Sequence, residues 1–220
     1  MKLGIKKDRG KAAGWGTNRV ETGPMRGAPL PAPWRARLEK ILITEEQLAR
    51  RVKMLAREIQ RDFRGRELVV VSVLNGTVMF LADLLRHLDL PLRLDFIGVS
   101  SYGGSTESGE LVFTKDVRVD VKGRDVLLVD DILDTGQTLS RVRSRLQSLS
   151  PRGIKSCVLL DKTSQRRVPV SVDYVGFAIP NVFVVGYGMD FDEQYRNLPF
   201  IGVLKPKPGG IAPPGAAASI

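Results

Sequence analysis

Apolar residues in this chain recur with two different periods, and the alternation between them gives the first structural signal. After Thr44, the residues Leu48, Val52, Leu55, Ile59 and Phe63 follow at steps of four, three, four and four, which is one face of an α-helix. Thr44 is placed as N-cap, and Gln47 three residues on completes a capping-box spacing. The run ELVVVSVLNG that follows is continuous, Val-rich and too short for most helices, as expected of a strand buried on both faces. TVMFLADLLRHL returns to helical spacing through Val78, Leu81, Leu84, Leu85 and Leu88. Strand, glycine turn and helix make a βα unit.

The pattern repeats downstream. LRLDFIGVS reads as a strand and LVFTKDVRVD as a more alternating, half-exposed one, with the long Gly/Ser-rich loop SSYGGSTESGE between them. DVLLVD is a buried strand expected to end at Asp130 and Asp131, TLSRVRSRLQSL a helix, and IKSCVLLDK a strand. VDYVGFAIPNVFVVGYG holds two short extended segments, and Ile41–Ile43 is a short apolar stretch ahead of the first helix. Strands alternating with helices predict an α/β protein with a mostly parallel twisted sheet flanked by helices on both faces. In such sheets ligands bind beyond the carboxyl ends of the strands.

Composition adds where the core ends. The 220 residues carry a formal charge of +10, but residues 1–37 hold nine Lys or Arg against Asp8 and Glu21, while the rest holds 25 against 22. That leading stretch is rich in Gly and Pro with few periodic apolar positions, so it is expected to be a disordered basic arm. Such an arm is more simply a solvated extension than a contact for nucleic acid. Residues 205–220, a Pro/Gly/Ala-rich stretch, are expected to be a flexible tail, which leaves residues 38–204 as one domain. A single cysteine, Cys157, within an apolar run reads as a small core residue and suits a reducing cytoplasm. No stretch reaches the ~18 apolar residues of a membrane helix, and no signal peptide opens the chain, so a cytoplasmic protein without membrane contact is expected. His87, the one histidine, reads as a surface residue at a helix C-terminus. One histidine and one cysteine argue against a zinc site or a Cys-His nucleophile pair.

The chemistry concentrates in VLLVDDILDTGQTL, residues 126–139. Asp130 and Asp131 stand at the expected mouth of the sheet, and ILDTGQT turns into a helix. Gly136 permits a tight backbone, and Thr135 and Thr138 bring hydroxyls beside amides not yet committed to helical bonds. Such a turn suits a phosphate, which accepts from backbone N–H groups and from the positive end of a helix dipole. Paired carboxylates beside it would face ribose hydroxyls or a bridging Mg²⁺. The P-loop pattern and the dinucleotide glycine fingerprint are both absent from the sequence. Any one of these acids alone would more simply cap a turn.

This stretch resembles the 5-phosphoribosyl-1-pyrophosphate (PRPP) motif of type I phosphoribosyltransferases. The opening ILITEEQLARRVKMLAREI, the turn LNG at 74–76, the loop SSYGGST, DK at 161 and 162, and YVGFAIPNVFVVGYGMDFDEQYRNLPFIGVL are similar to the hypoxanthine-guanine branch. The resemblance covers about residues 40–204. It implies that family's fold, with a small hood formed by segments near the N- and C-terminal ends of the core. It also implies a purine-salvage activity in which the 5-phosphoribosyl group passes to N9 of hypoxanthine or guanine, giving IMP or GMP and pyrophosphate. Asp130 and Asp131 would hold the ribose hydroxyls with Mg²⁺ nearby, and Asp134 would exchange a proton with purine N7. Asp134, Thr135, Gly136, Gln137 and Thr138 would bind the 5-phosphate. Lys162 would donate to the 6-oxo oxygen, Phe183 would stack on the base, and Val184 and Met189 would meet its edge. Asp190 would ligate a Mg²⁺ held by pyrophosphate, with Asn75, Gly76 and Arg196 beside that group. The glycine-rich loop with Ser101 and Tyr102 would be a lid. A homodimer or homotetramer is expected.

Two positions depart from the family pattern. Asn75 stands where Lys is common, in a turn that has an unusual peptide geometry in relatives, and Asp130 stands where Glu is more frequent. Three rival readings follow. A pyrimidine-operon regulator binds RNA on the same fold but typically lacks an acid at the position of Asp134. An adenine-specific transferase would not need Lys162, because a 6-amino group cannot accept from an ammonium. A xanthine-preferring enzyme shares the 6-oxo group.

Overall fold

The computed structural model describes residues 29–101 and 111–205. Its centre is a six-stranded sheet in the order β4 (Leu111–Lys115), β3 (Leu92–Ser101), β2 (Leu68–Leu74), β5 (Asp125–Leu133), β6 (Gly153–Asp161), β7 (Tyr174–Ala178). All neighbours run parallel except the edge strand β4, which returns antiparallel on β3. The mostly parallel sheet expected from the alternating pattern is therefore observed.

The continuous apolar runs are explained by burial on both faces. Leu68 and Val70 of β2, with Leu127 and Val129 of β5, pack into the cluster that contains α1 (Glu45–Asp62) and α2 (Val78–Arg86). Their neighbours Val69, Val71, Val126 and Leu128 pack on the other face with Leu139, Val142 and Leu146 of α3 (Gln137–Ser148). The expected face of α1 is the buried one, and both halves of its capping box form: Gln47 N donates to Thr44 Oγ1 (3.3 Å) and Thr44 N to Gln47 Oε1 (2.8 Å). The expected face of α2 holds for Leu81, Leu84, Leu85 and Leu88, but Val78 is 44% exposed and Phe80 takes the core position at the start of the helix.

A second, three-stranded sheet makes the hood: β1 (Leu38–Ile43), β9 (Ile201–Leu204) and β8 (Val184–Val185), all antiparallel. Residues 29–37, assigned by sequence to the basic arm, pack here. Leu30 and Trp34 lie against Leu38, Val185, Tyr195 and Leu198, with the Trp34 and Tyr195 rings 5.5 Å apart. Partly burying one indole gives this stretch apolar area that the composition of the whole segment hides. Lys205 N donates to Arg37 O at 2.9 Å, so the first residue of the expected tail also joins the hood. The rest of the arm, most of the glycine-rich loop and residues 206–220 lie outside the described residues.

Strand β5 is longer than expected. It continues through Asp130 and Asp131 to Leu133, pairing Ile132 with Leu160 and Leu133 with Asp161 of β6. The two acids therefore sit inside the ladder rather than after it, and the turn begins at Asp134. Ile132 and Leu133, both buried, supply the apolar contacts that extend the strand past them.

One carboxylate fixes the β3–β4 edge. Asp95 accepts from Lys115 Nζ (2.8 Å) and from the backbone N–H groups of Phe96 (2.7 Å), Arg118 (2.5 Å) and Val119 (2.9 Å). Burial alone would raise its pKa, but Lys115 and the three amides together hold it well below the ordinary 3.8. Asp95→Asn should destabilise the fold by about 2 kcal/mol at pH 7. Because the folded-state pKa is depressed, this contribution is present above pH 3.8 and lost below it. Urea unfolding of both proteins at pH 7 and at low pH checks this; a difference that grows on acidification contradicts it.

Candidate active site

Parallel pairing brings the carboxyl ends of β2, β5 and β6 side by side. From them emerge, in order across the sheet, the turn Asn75–Thr77, the turn Asp134–Gly136, and Lys162.

On β5, Asp130 and Asp131 are 4% and 3% exposed. Asp131 N donates to Asp130 Oδ1 (3.0 Å) and Ile132 N to Asp131 Oδ1 (2.8 Å). Burial, and next the negative charge of Asp131, push the Asp130 carboxyl well above 3.8. A site that resists ionisation in this way gains most when hydroxyl donors or a cation approach. No cluster of three or more His, Cys, Asp or Glu side chains able to hold a metal occurs among the described residues.

The turn after β5 enters α3 through Gly136, whose φ is +86°. The first helical bond of that turn runs from Ser140 N to Gly136 O (3.0 Å), and Thr135 Oγ1 accepts from Gln137 N (3.4 Å). Amides at the head of the helix precede that first bond and are available to an anion. The turn is held from behind, where Arg167 N and Val168 N both donate to Thr135 O (2.9 and 3.0 Å). A Cβ on residue 136 would come within 2.6 Å of Val168 O, so glycine is required both for the backbone angle and for this contact.

Lys162 is completely buried. Its Nζ lies 3.6 Å from Asp134 Oδ2, close enough for attraction but too far for a hydrogen bond. Neither Lys162 Nζ nor Asp134 Oδ1 has a hydrogen-bond partner among the described residues. Burial lowers the pKa of this ammonium, and the Asp134 charge opposes that only in part. Two unsatisfied buried groups, one donor and one acceptor, thus stand together at adjacent strand ends. A ligand carrying a carbonyl oxygen and a neighbouring N–H would satisfy both.

The hood contributes the remaining expected residues. Val184 (4% exposed) pairs with Val203, and the half-buried Phe183 meets Phe191 edge to face with centroids 5.4 Å apart. Gly186 N donates to Met189 O (2.9 Å), closing a turn that leads into Asp190. Asp190 Oδ1 is paired with Arg196 Nη1 at 3.0 Å, and the same nitrogen donates to Gly188 O (3.1 Å). That turn touches β2's turn directly. A Cβ on Gly188, whose φ is +102°, would fall 2.0 Å from Gly76 O. Tyr187 Oη donates to Asp83 Oδ2 of α2 at 2.6 Å, and Ser72 Oγ donates to Thr77 Oγ1 at 2.8 Å beneath the turn. The Leu74–Asn75 peptide is cis, and Asn75 is exposed.

Most residues singled out from the sequence are therefore brought to neighbouring strand ends and the hood turn facing them. Ser101 ends β3, while Tyr102 lies outside the described residues. His87 is exposed at the C-cap of α2. Cys157 is buried, and burial raises its thiol pKa above the usual 9.0, which makes it a core residue. Sequence reasoning missed Thr77, Tyr187 and Arg166. The charged pair Arg166-Arg167, one short turn after β6, was the one available signal.

Residues 40–192 match the family described as phosphoribosyl transferase domain, and the chain belongs to that family. The hypoxanthine-guanine phosphoribosyltransferase of Bacillus subtilis (strain 168) is 46% identical over 170 residues, covering 77% of this chain and 94% of that protein. The bifunctional protein TilS/HprT of Listeria innocua is also 46% identical, over 171 residues, but this chain spans only 26% of its length. A crystal structure of a hypoxanthine phosphoribosyltransferase from Staphylococcus aureus superposes with a TM-score of 0.77 at 42% identity, covering 81% of this chain and 97% of that one. A point mutant of the Trypanosoma cruzi hypoxanthine phosphoribosyltransferase, in a ternary substrates complex, gives 0.72 at 46% identity over 77% of this chain and 96% of that one.

The tight seat of the hood turn is testable with two glycines. Gly188→Ala forces a Cβ against Gly76 O and should cost well over 2 kcal/mol, whereas Gly65→Ala, at φ +71° with nothing within 4 Å, should cost about 1 kcal/mol. Equal losses in thermal unfolding would contradict the contact.

Proposed function

We infer that the chain is a purine-salvage phosphoribosyltransferase that moves the 5-phosphoribosyl group of PRPP onto N9 of hypoxanthine or guanine, releasing pyrophosphate and giving IMP or GMP. The observation that carries this reading is the buried, unsatisfied Lys162 ammonium beside Asp134, the first residue of the phosphate turn. Lys162 donates to the 6-oxo oxygen, and Asp134 Oδ1 accepts from N7–H. Adenine would set its 6-amino donors against the ammonium donors and leave Lys162 unsatisfied. Phe183 covers a base face, and Val184 and Met189 bound its edge.

The sugar follows from the same arrangement. The amides of residues 135–138 and the head of α3 take the 5-phosphate, and Asp130 and Asp131 accept from the ribose 2- and 3-hydroxyls. As N9 bonds to C1, the C1–O bond to pyrophosphate breaks and the N7 proton passes to Asp134. The reaction builds cationic sugar and anionic leaving group together, so positive groups must stand on the pyrophosphate side and water must be excluded. Arg196 and the backbone of Asn75 and Gly76 supply the first requirement. The loop with Ser101 and Tyr102 supplies the second.

The carboxylates fit a divalent cation: burial, and next the Asp131 charge, push the Asp130 carboxyl above its ordinary range, a cation would offset both, and hard oxygen donors suit Mg²⁺. Asp130 and Asp131 would stand beside one Mg²⁺ and Asp190 would ligate a Mg²⁺ held by pyrophosphate, each with oxygens from PRPP and water completing the set. Mg²⁺ bound there supplies charge neutralisation to the departing pyrophosphate. The enzyme would act in the cytoplasm as a homodimer or homotetramer.

Asp134→Asn keeps the shape but cannot take the proton. It should lower kcat by roughly two to four orders of magnitude while changing the dissociation constant of PRPP little. Steady-state kinetics beside equilibrium PRPP binding decide this, and equal losses in both would argue against proton transfer at Asp134.

A further inference from the structure

A phosphate monoester carries close to two negative charges near neutral pH, and the head of a helix offers about half a positive one. Residues 134–138 include no Lys or Arg. The first basic residue of α3, Arg141, has its guanidinium over the Phe113 ring at 5.8 Å. Lys162 Nζ lies 3.6 Å from Asp134 Oδ2 and is assigned to the base rather than to the phosphate. The charge that the turn lacks must come from another element.

Arg166 meets this requirement. It lies in the segment after β6 whose next two amides hold Thr135 O. Its Cδ is 3.2 Å, and its Nη1 3.6 Å, from where a Cβ of Gly136 would stand, so the guanidinium is packed against the turn. Nη2 donates to Asp161 Oδ1. Nη1 is buried and has no hydrogen-bond partner among the described residues. One end of the side chain is thus anchored in an ion pair, and the other presents a buried donor without an acceptor to the back of the turn. Burial of a guanidinium N–H without an acceptor is unfavourable, and a phosphate seated in the turn would offset that cost.

We propose that Arg166, anchored by Asp161, is a positioning residue for the 5-phosphate turn and supplies a cationic N–H donor of the kind that residues 134–138 lack. It acts through Gly136 and Thr135 rather than on the reacting atoms. The pair also ties the sugar site to the base site, because Asp161 immediately precedes Lys162 on β6. The proposal rests on the phosphoribosyl-transfer reading, and ribose 5-phosphate is the probe that separates the two.

The test uses the full chain and its variants Arg166→Met, Arg166→Lys and Asp161→Asn. Binding of ribose 5-phosphate is measured by calorimetry, and KM for PRPP, KM for hypoxanthine and thermal midpoints are measured alongside. Arg166→Met should weaken ribose 5-phosphate binding and raise KM for PRPP by roughly tenfold or more, with KM for hypoxanthine little changed. Arg166→Lys should recover part of that loss, since it restores the charge without the fork, and Asp161→Asn should fall between. A filler role alone predicts the opposite order, with Met tolerated and Lys no better. Unchanged ribose 5-phosphate affinity in Arg166→Met overturns the proposal; if that variant does not fold, wild-type affinity in Asp161→Asn and Arg166→Lys overturns it equally. Wild-type protein that binds ribose 5-phosphate but turns over no 6-oxopurine would overturn the transferase reading and leave Arg166 in place.

Discussion

Parallel pairing of β2, β5 and β6 is the constraint on which the site depends. Because neighbouring strands run the same way, their carboxyl ends open on one edge, and whatever polar residues end them must share that space. An antiparallel arrangement would send Asp134 and Lys162 to opposite edges. The ladder carries Leu133 opposite Asp161, and that single register places the ammonium of the following residue 3.6 Å from the carboxylate of Asp134. The hood completes the enclosure by seating Gly188 on Gly76, a contact that only glycine at that backbone angle allows.

The electrostatics of the edge are unbalanced in a way that describes the ligand. Burial pushes the Asp130 carboxyl above its ordinary pKa and the Lys162 ammonium below its own, and among the described residues three polar atoms, on Asp134, Lys162 and Arg166, are buried without hydrogen-bond partners. Elsewhere comparable groups are satisfied: Asp95 accepts four hydrogen bonds, and Asp125 is held by Arg152. Unsatisfied groups therefore gather at the strand ends proposed to receive the sugar and the base. Binding can then repay the cost of burying them.

Local chemistry made much of this legible in the sequence. Helix α1 could be read because its cap and its apolar face are set by residues three or four apart, and the phosphate turn because strand, glycine and helix head are contiguous. The strands β8 and β9 were harder: they hold two and four residues, and what defines them is pairing across distant parts of the chain. Only the first turn of α2 was ambiguous, since Val78 and Phe80 are both apolar and the spacing to Leu81 and Leu84 admits either at the core. Trp34 could not be separated from its basic surroundings without Tyr195, and Arg166 meets Gly136 only through tertiary packing. Family resemblance, rather than spacing, linked Lys162, Phe183 and Asp190 to the phosphate turn.

The central claim is that a buried lysine beside an aspartate selects a 6-oxopurine as acceptor for the phosphoribosyl group. Competition tests it most directly: the protein is given PRPP, Mg²⁺ and equal concentrations of hypoxanthine, guanine, xanthine and adenine, and the nucleotides formed are identified by mass spectrometry. IMP and GMP should dominate, with AMP absent. AMP as a major product, or no nucleotide at all, would contradict the account.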